Sequence, residues 1–202
     1  MPTLKGAFIK YETNLLKGPP NIIMFQFNPE TMTRNPYFER GPTSMDEWWD
    51  IQGPPSESIG FMLRLDASDQ LARANPIAIE GGILPALSAL ELLMYPEEAL
   101  DLSFGNSKKY YYKPEKLPIV LFIWGMHRML PVVIKSLSIT EMEYDTRLNP
   151  TRAEVNVSMD VVTPPNLDGF AEGAYKYTQT IKKSMAAFDL ANNAELLGSM
   201  RF

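Results

Sequence analysis

The run Arg152–Thr163 constrains the fold more than any other part of this chain. Ala153, Val155, Val157, Met159 and Val161 alternate with Glu154, Asn156, Ser158 and Asp160. A period of two places the apolar set on one face of a strand and the polar set on the other. Burying one Val or Met side chain contributes roughly 1.5–3 kcal/mol. A one-residue slip would expose the row and cost on the order of 6–12 kcal/mol, even with Ala153 left out. That rivals the stability of a whole domain, about 5–15 kcal/mol. The chain must therefore build a sheet with one dry face, held in a single register.

Other segments supply partners for that strand. Lys5–Tyr11 reads as a first strand, and Ile22–Phe27 as a second, with Ile23, Phe25 and Phe27 on one face. Thr31–Phe38 is extended, and in Ile59–Ala67 the residues Phe61, Leu63 and Leu65 oppose Met62, Arg64 and Asp66. Leu117–Trp124 is apolar on both faces and predicts a central strand. Gly125–Pro131 reads as a hairpin tip, from which Val132–Tyr144 returns. Val133, Leu137 and Ile139 share a face there, whereas Met142 and Tyr144 are out of phase with them. A bulge near Thr140–Met142 accounts for the shift. Ile83, Leu84, Leu87, Leu90 and Met94 fall at helical spacing and predict a helix over Ile83–Tyr95, stopped by Pro96. The Gly81-Gly82 pair before it reads as a flexible entry, because no phosphate-loop spacing surrounds it.

The composition narrows the function. The 202 residues suit one domain plus an extension, with 45% hydrophobic residues for a core. A net charge of −5 gives no electrostatic case for nucleic acid or an anionic membrane. No cysteine is present, so there is neither a thiolate nucleophile nor a thiolate metal site. His127 is the only histidine and falls at the hairpin tip, where a solvated residue is expected. Asp66-Ala67-Ser68-Asp69 reads as a turn closed by side-chain-to-backbone bonds. Glu141 and Glu143 read as solubilising residues on an outward face. Lys108-Lys109-Tyr110-Tyr111-Tyr112-Lys113 mixes basic and aromatic residues, a pattern that can stack on single strands. In an acidic chain a solvated loop or a subunit contact is the better expectation. No cofactor, no metal and no enzymatic activity are expected. The N-terminus lacks the pattern of a secretory signal, and the longest apolar run, Ile119–Trp124, falls far short of the about 20 residues of a membrane span.

Between the second and third strands lies a polar corner, Asn28-Pro29-Glu30-Thr31, where Asn tolerates turn geometry and Pro removes a ladder donor. The surrounding FQFNPETMTR, Phe25–Arg34, resembles the opening motif of the tube-type proteins of contractile injection systems, the phage-tail-like particles. FMLRLDASD at Phe61–Asp69, LPIVLFIWG at Leu117–Gly125, and the run from Val133 through RLNPTRAEVNVSM to Met159 follow in the same order. The resemblance covers roughly Leu4–Pro164 and is nearest to tube-initiator or baseplate adaptor proteins, many of which carry a LysM module. No such module is legible in Asn166–Phe202, so peptidoglycan binding is not carried over. The resemblance implies a mainly β (α+β) fold, a tube-type barrel over residues 1–165 with one packed helix. It also implies a hexameric ring joined edge to edge, between a spike hub protein and the inner tube, with other baseplate components as partners. The particle would assemble in the cytoplasm and be either released or membrane-anchored, with no direct membrane contact by this chain.

Pro164–Gly169 marks a boundary, and residues 166–202 form a C-terminal extension. Phe170, Ala174, Tyr177, Ile181, Met185, Phe188 and Ala191 step by three or four residues, giving an amphipathic helix of about 22 residues, roughly 33 Å. Its stripe packs either on its own barrel or on a neighbouring subunit. Exposure logic puts candidate interface residues at Trp48, Trp49, Tyr110, Tyr111, Tyr112, Arg128, Tyr177, Ile181 and Phe188. Two alternatives stand beside the initiator reading. One is the main inner-tube protein. The other is a small-ligand-binding barrel, which would be a monomer with an internal cavity.

Overall fold

The computed structural model describes residues 4–10, 21–38, 53–95, 118–167 and 169–199. The strands β1 (Ala7–Lys10), β2 (Asn21–Met24), β3 (Met32–Tyr37), β4 (Ser56–Asp66), β5 (Val120–Trp124), β6 (Arg128–Tyr144) and β7 (Pro150–Val161) form one sheet. Every neighbouring pair is antiparallel, in the order β2-β1-β5-β6-β7-β4-β3. The fold is mainly β, as the alternating segments imply.

The sheet is rolled. Phe8 on β1 and Phe61 on β4 have three strands between them, so a flat sheet would hold them about 19 Å apart. Their ring centroids lie 6.3 Å apart. Phe122 on β5 lies 5.5 Å from Phe61, and Phe25 lies 5.1 Å from Phe8. Ring separations of this size are favourable aromatic contacts, and the four rings fill the centre of the barrel. The expected face of β7 is the one buried: Ala153, Val155, Val157, Met159 and Val161 all join the core. β5 is central, and Val120, Leu121 and Phe122 are fully buried on both of its faces.

β6 departs from a regular ladder three times. Its pairing with β7 shifts between Ile134 and Ser136, between Glu141 and Glu143, and again between Glu143 and Tyr144. The second shift is the bulge the sequence implies. The first was not legible, and it changes the face assignment: Val132 and Ile134 are buried before it, Leu137 and Ile139 are half-buried after it, and Val133 is not on their side. Met142, the residue in the second shift, and Tyr144 beyond it are exposed and not core-facing, and Met142 lines an open groove on the outer side of the sheet.

Between β4 and β5 lie three short helices, α1 (Ser68–Ala72), α2 (Pro76–Gly81) and α3 (Leu84–Glu91), and a 3-10 turn, Leu92–Met94. Ile83, Leu87, Leu90 and Leu93 bury against the barrel, while Leu84 turns outward. α1 and α2 are too short to leave a periodic signal. α2 is instead set by local chemistry, with the Asn75 side chain accepting hydrogen bonds from the Ile77 and Ala78 amides and Pro76 opening the helix. Lys10 donates to the carbonyls of Leu92 and Tyr95 and caps the end of the 3-10 turn. Gly82 is a required glycine and not a flexible entry. Its φ is +56°, and a Cβ there would stand 2.2 Å from the Pro150 carbonyl oxygen.

The C-terminal helix α4 spans Gly169–Ser199, longer than its apolar period suggests. It packs on its own barrel, chiefly along β6, through its first three turns, and Lys182 in the fourth turn makes a last contact with β4. The buried face is Ala171, Ala174, Tyr175 and Thr178. Phe170 and Tyr177, expected on the buried stripe, are largely exposed.

Candidate assembly surfaces

The polar corner holds the roll of the barrel. The Phe25 amide donates to the Gly6 carbonyl (2.8 Å), which continues the β1–β2 ladder past Met24. Asn28 extends it further with its side chain: Oδ1 accepts from the Gly6 amide (2.9 Å) and Nδ2 donates to the Leu4 carbonyl (2.8 Å). Gln26 does the same in the opposite direction. The Ala67 amide donates to the Thr151 carbonyl, so by antiparallel alternation the amide and carbonyl of Asp66 point away from β7. β3 has already ended opposite Phe61 and cannot meet them. Gln26 fills the gap, accepting from the Asp66 amide at 3.0 Å and donating to its carbonyl at 2.5 Å. Two neighbouring amides of the FQFN stretch thus stand in for missing strands, one on each side. Phe25 drops into the core beside them. Phe27, expected on the same face, is instead exposed, with the Lys5 ammonium 5.9 Å above its ring.

The same alternation defines the open edges. The bond from Phe25 to Gly6 makes Ile23 a hydrogen-bonded partner of Phe8, so the amides and carbonyls of Ile22 and Met24 face outward from the sheet. Ile22 is 54% exposed and Met24 70%. On β3, Thr33 and Asn35 bond to β4, which leaves the backbone of Met32 and Arg34 facing out. Pro36 falls on this outward-facing set, where no ladder donor is lost. Tyr37 and Phe38 lie exposed at its end. Neither outer side carries a ladder partner among the described residues. β2, with the sequence Asn-Ile-Ile-Met, also lacks the charges that edge strands use to discourage pairing.

Three further features adjoin these edges. A cleft of about 180 Å3 separates β2 from α1 and α3, lined in part by Met24, Gln70 and Ala86. A larger open groove of about 720 Å3 lies over the outer face of the sheet beside the corner, between Phe27–Thr31 and Met62, Arg64, Met142 and Glu154. Its floor is a ladder of opposite charges, with Arg64 on Glu154 and Arg152 bridging Asp66 and Glu143. Hydrogen bonds from Ser68 and the Arg152 guanidinium outweigh burial and hold the Asp66 carboxyl below its ordinary value. Asp66 thereby closes the expected turn, accepting from the Ser68 amide at 2.8 Å.

Glu57 is the buried carboxylate among the described residues. It lies on β4, with the Arg34 guanidinium of β3 on one oxygen and the Lys182 ammonium of α4 on the other at 3.3 Å. Burial pushes its carboxyl up, but the hydrogen bond and charge of Arg34 and the charge of Lys182 prevail and hold it below its ordinary value. No group of three His, Asp or Glu residues able to hold a metal occurs among the described residues. Nor is any helix there long and apolar enough to cross a membrane.

The residues singled out from sequence are scattered. Trp48, Trp49, Tyr110, Tyr111 and Tyr112 lie outside the described residues. Arg128 opens β6 and is half-buried opposite Trp124. Tyr177 is at the same end, its hydroxyl donating to the Met126 carbonyl (2.9 Å) on the exposed turn that carries His127. Ile181 is half-buried one turn further on. Phe188 is 70% exposed and stands apart from them, on a stretch of α4 where every side chain from Lys182 to Ala194 is exposed. Sequence reasoning placed Asn28 in a turn without showing what its amide reaches, and missed Gln26, Arg34, Glu57 and Lys182. For the two amides the available signal was the cluster of polar residues at the corner, which marks a turn but not the partner of each side chain. No family model matches this chain, and no curated protein matches it.

Proposed function

We propose that this chain is a structural assembly protein of a contractile injection system, forming a tube-initiator or baseplate layer between the spike hub and the inner tube. It acts as a hexameric ring in which β2 of one copy pairs with β3 of the next. It assembles in the cytoplasm with the hub, the inner tube and the remaining baseplate components. The observation that supports this reading is the pair of edges that carry no ladder partner among the described residues. Both ends of the sheet present outward backbone groups, and exposed apolar side chains flank them. Two different edges pairing head to tail leave no free edge only when the ring closes. The resemblance of Phe25–Arg34 and the three later segments points to the same particle class.

The main inner-tube protein is the second reading, since it would use the same edges. The long α4, with its outer half uncovered, favours the initiator, because a plain tube layer needs only the barrel. The small-ligand barrel is disfavoured by the four phenylalanine rings packed through the centre.

Electron microscopy of particles from a strain lacking this gene tests the proposal. The expected result is no full-length tube-and-sheath particle, with rescue by the wild-type chain but not by Met24→Pro. That variant removes only an outward-facing amide and keeps the β1–β2 ladder. Normal particles in the deletion strain would end the reading and return attention to the ligand-binding barrel.

A further inference from the structure

Three elements meet at Glu57. Its side chain is 8% exposed, and each oxygen is held by a cation from a different element, Arg34 Nε from the edge strand β3 and Lys182 Nζ from α4. β3 and α4 are far apart in sequence, and this shared carboxylate is an ionic bridge between them. Lys182 is also the last anchor of α4, since every described side chain after it is exposed. From there the helix continues for about 25 Å to Ser199. An isolated helical segment of this length is marginal in water, so the last anchor decides where it points.

A carboxylate in this position works only with both cations. With Arg34 in place, α4 covers an ion already compensated. With Arg34 gone, covering Glu57 leaves a buried charge on one flexible lysine, and lifting the Lys182 turn restores its hydration. Arg34 therefore strengthens the docking of a helix it does not bond to through this bridge.

We propose that Glu57 is a positioning residue that couples the edge strand β3 to α4, so that a strand engaging β3 fixes the direction in which the outer half of α4 leaves the barrel. Pairing immobilises β3, Arg34 stays on Glu57, and Glu57 holds Lys182. The coupling is a property of the single chain. Its consequence for the ring rests on the reading given above.

Amide hydrogen exchange on the isolated full-length chain tests the coupling. Arg34→Met should accelerate exchange around Lys182 by roughly fivefold or more. Arg34→Lys, which keeps the charge, should preserve most of the protection. In a Glu57→Gln background Arg34→Met should add nothing, because the route is already cut. Unchanged α4 exchange in Arg34→Met, or the same acceleration in the Glu57→Gln background, overturns the proposal. A second comparison reaches the ring: assembly should slow α4 exchange in the wild type and not in Glu57→Gln. If no ring forms, the assembly reading fails while the single-chain result still decides the coupling.

Discussion

Gln26→Ala should open the barrel seam. The Gln26 side chain makes both hydrogen bonds available to the outward backbone of Asp66, at 2.5 and 3.0 Å. No strand replaces it, because the β3–β4 ladder ends at Phe61. Each bond contributes about 0.5–1.5 kcal/mol net. The seam is half-buried, so water would meet part of the demand left by Asp66, and the total loss should be about 2 kcal/mol. For a chain of this size that lowers Tm by about 4–8 °C. Gln26→Glu is the sharper control. It keeps the shape, but at neutral pH its carboxylate cannot donate to the Asp66 carbonyl, so it should cost at least as much as alanine. Urea titration monitored by Trp fluorescence would measure both. A change within about 0.5 kcal/mol for alanine, typical of an uninvolved surface site, or a neutral Gln26→Glu, would refute the seam argument.

Thr178→Val preserves shape but removes the hydroxyl that donates to the Met129 carbonyl (2.8 Å) and accepts from its amide (3.0 Å). In this fully buried site the loss should be about 2–3 kcal/mol, with α4 amides exchanging faster than those of β7. Gly82→Ala should cost about 1–3 kcal/mol from backbone strain alone, and more from the contact with Pro150, read as a lowered urea midpoint. For Glu57, whose folded-state pKa is depressed, the stabilisation is present above its ordinary value of 4.5 and is lost as pH falls through the lower folded value. The stability gap between wild type and Glu57→Gln should accordingly be widest near neutrality and shrink below pH 4.5 in denaturant titrations.

Strands whose side chains alternate cleanly were legible because period two is written in each residue. β7 and β4 bury the faces their sequences imply, and β5 is covered on both sides. The first bulge of β6 escaped because Val132, Val133 and Ile134 are all apolar, and either phase fits the pattern. α4 misled for a different reason. Its buried face is built from Ala171, Ala174, Tyr175 and Thr178, three of them small, while Met185 and Phe188 remain exposed. Following the bulky side chains therefore kept Ala174 and the half-buried Ile181 but rotated the stripe off Ala171, Tyr175 and Thr178 and ran it too far along the helix. The seam amides and Glu57 depend on backbone groups and partners up to 125 residues away, and no local spacing encodes such contacts.

Cysteine cross-linking across the proposed edges measures the central claim most directly, since the native chain contains no cysteine to confuse it. A chain carrying Ile22→Cys on β2 and Asn35→Cys on β3, both exposed, is expressed with its particle and treated with a short thiol cross-linker. Each single substitution serves as a control. Head-to-tail pairing predicts a denaturing-gel ladder from the double variant that stops at the hexamer, and no ladder from either single variant. A double variant that takes up thiol reagent at both positions yet stays monomeric under cross-linking would contradict the account.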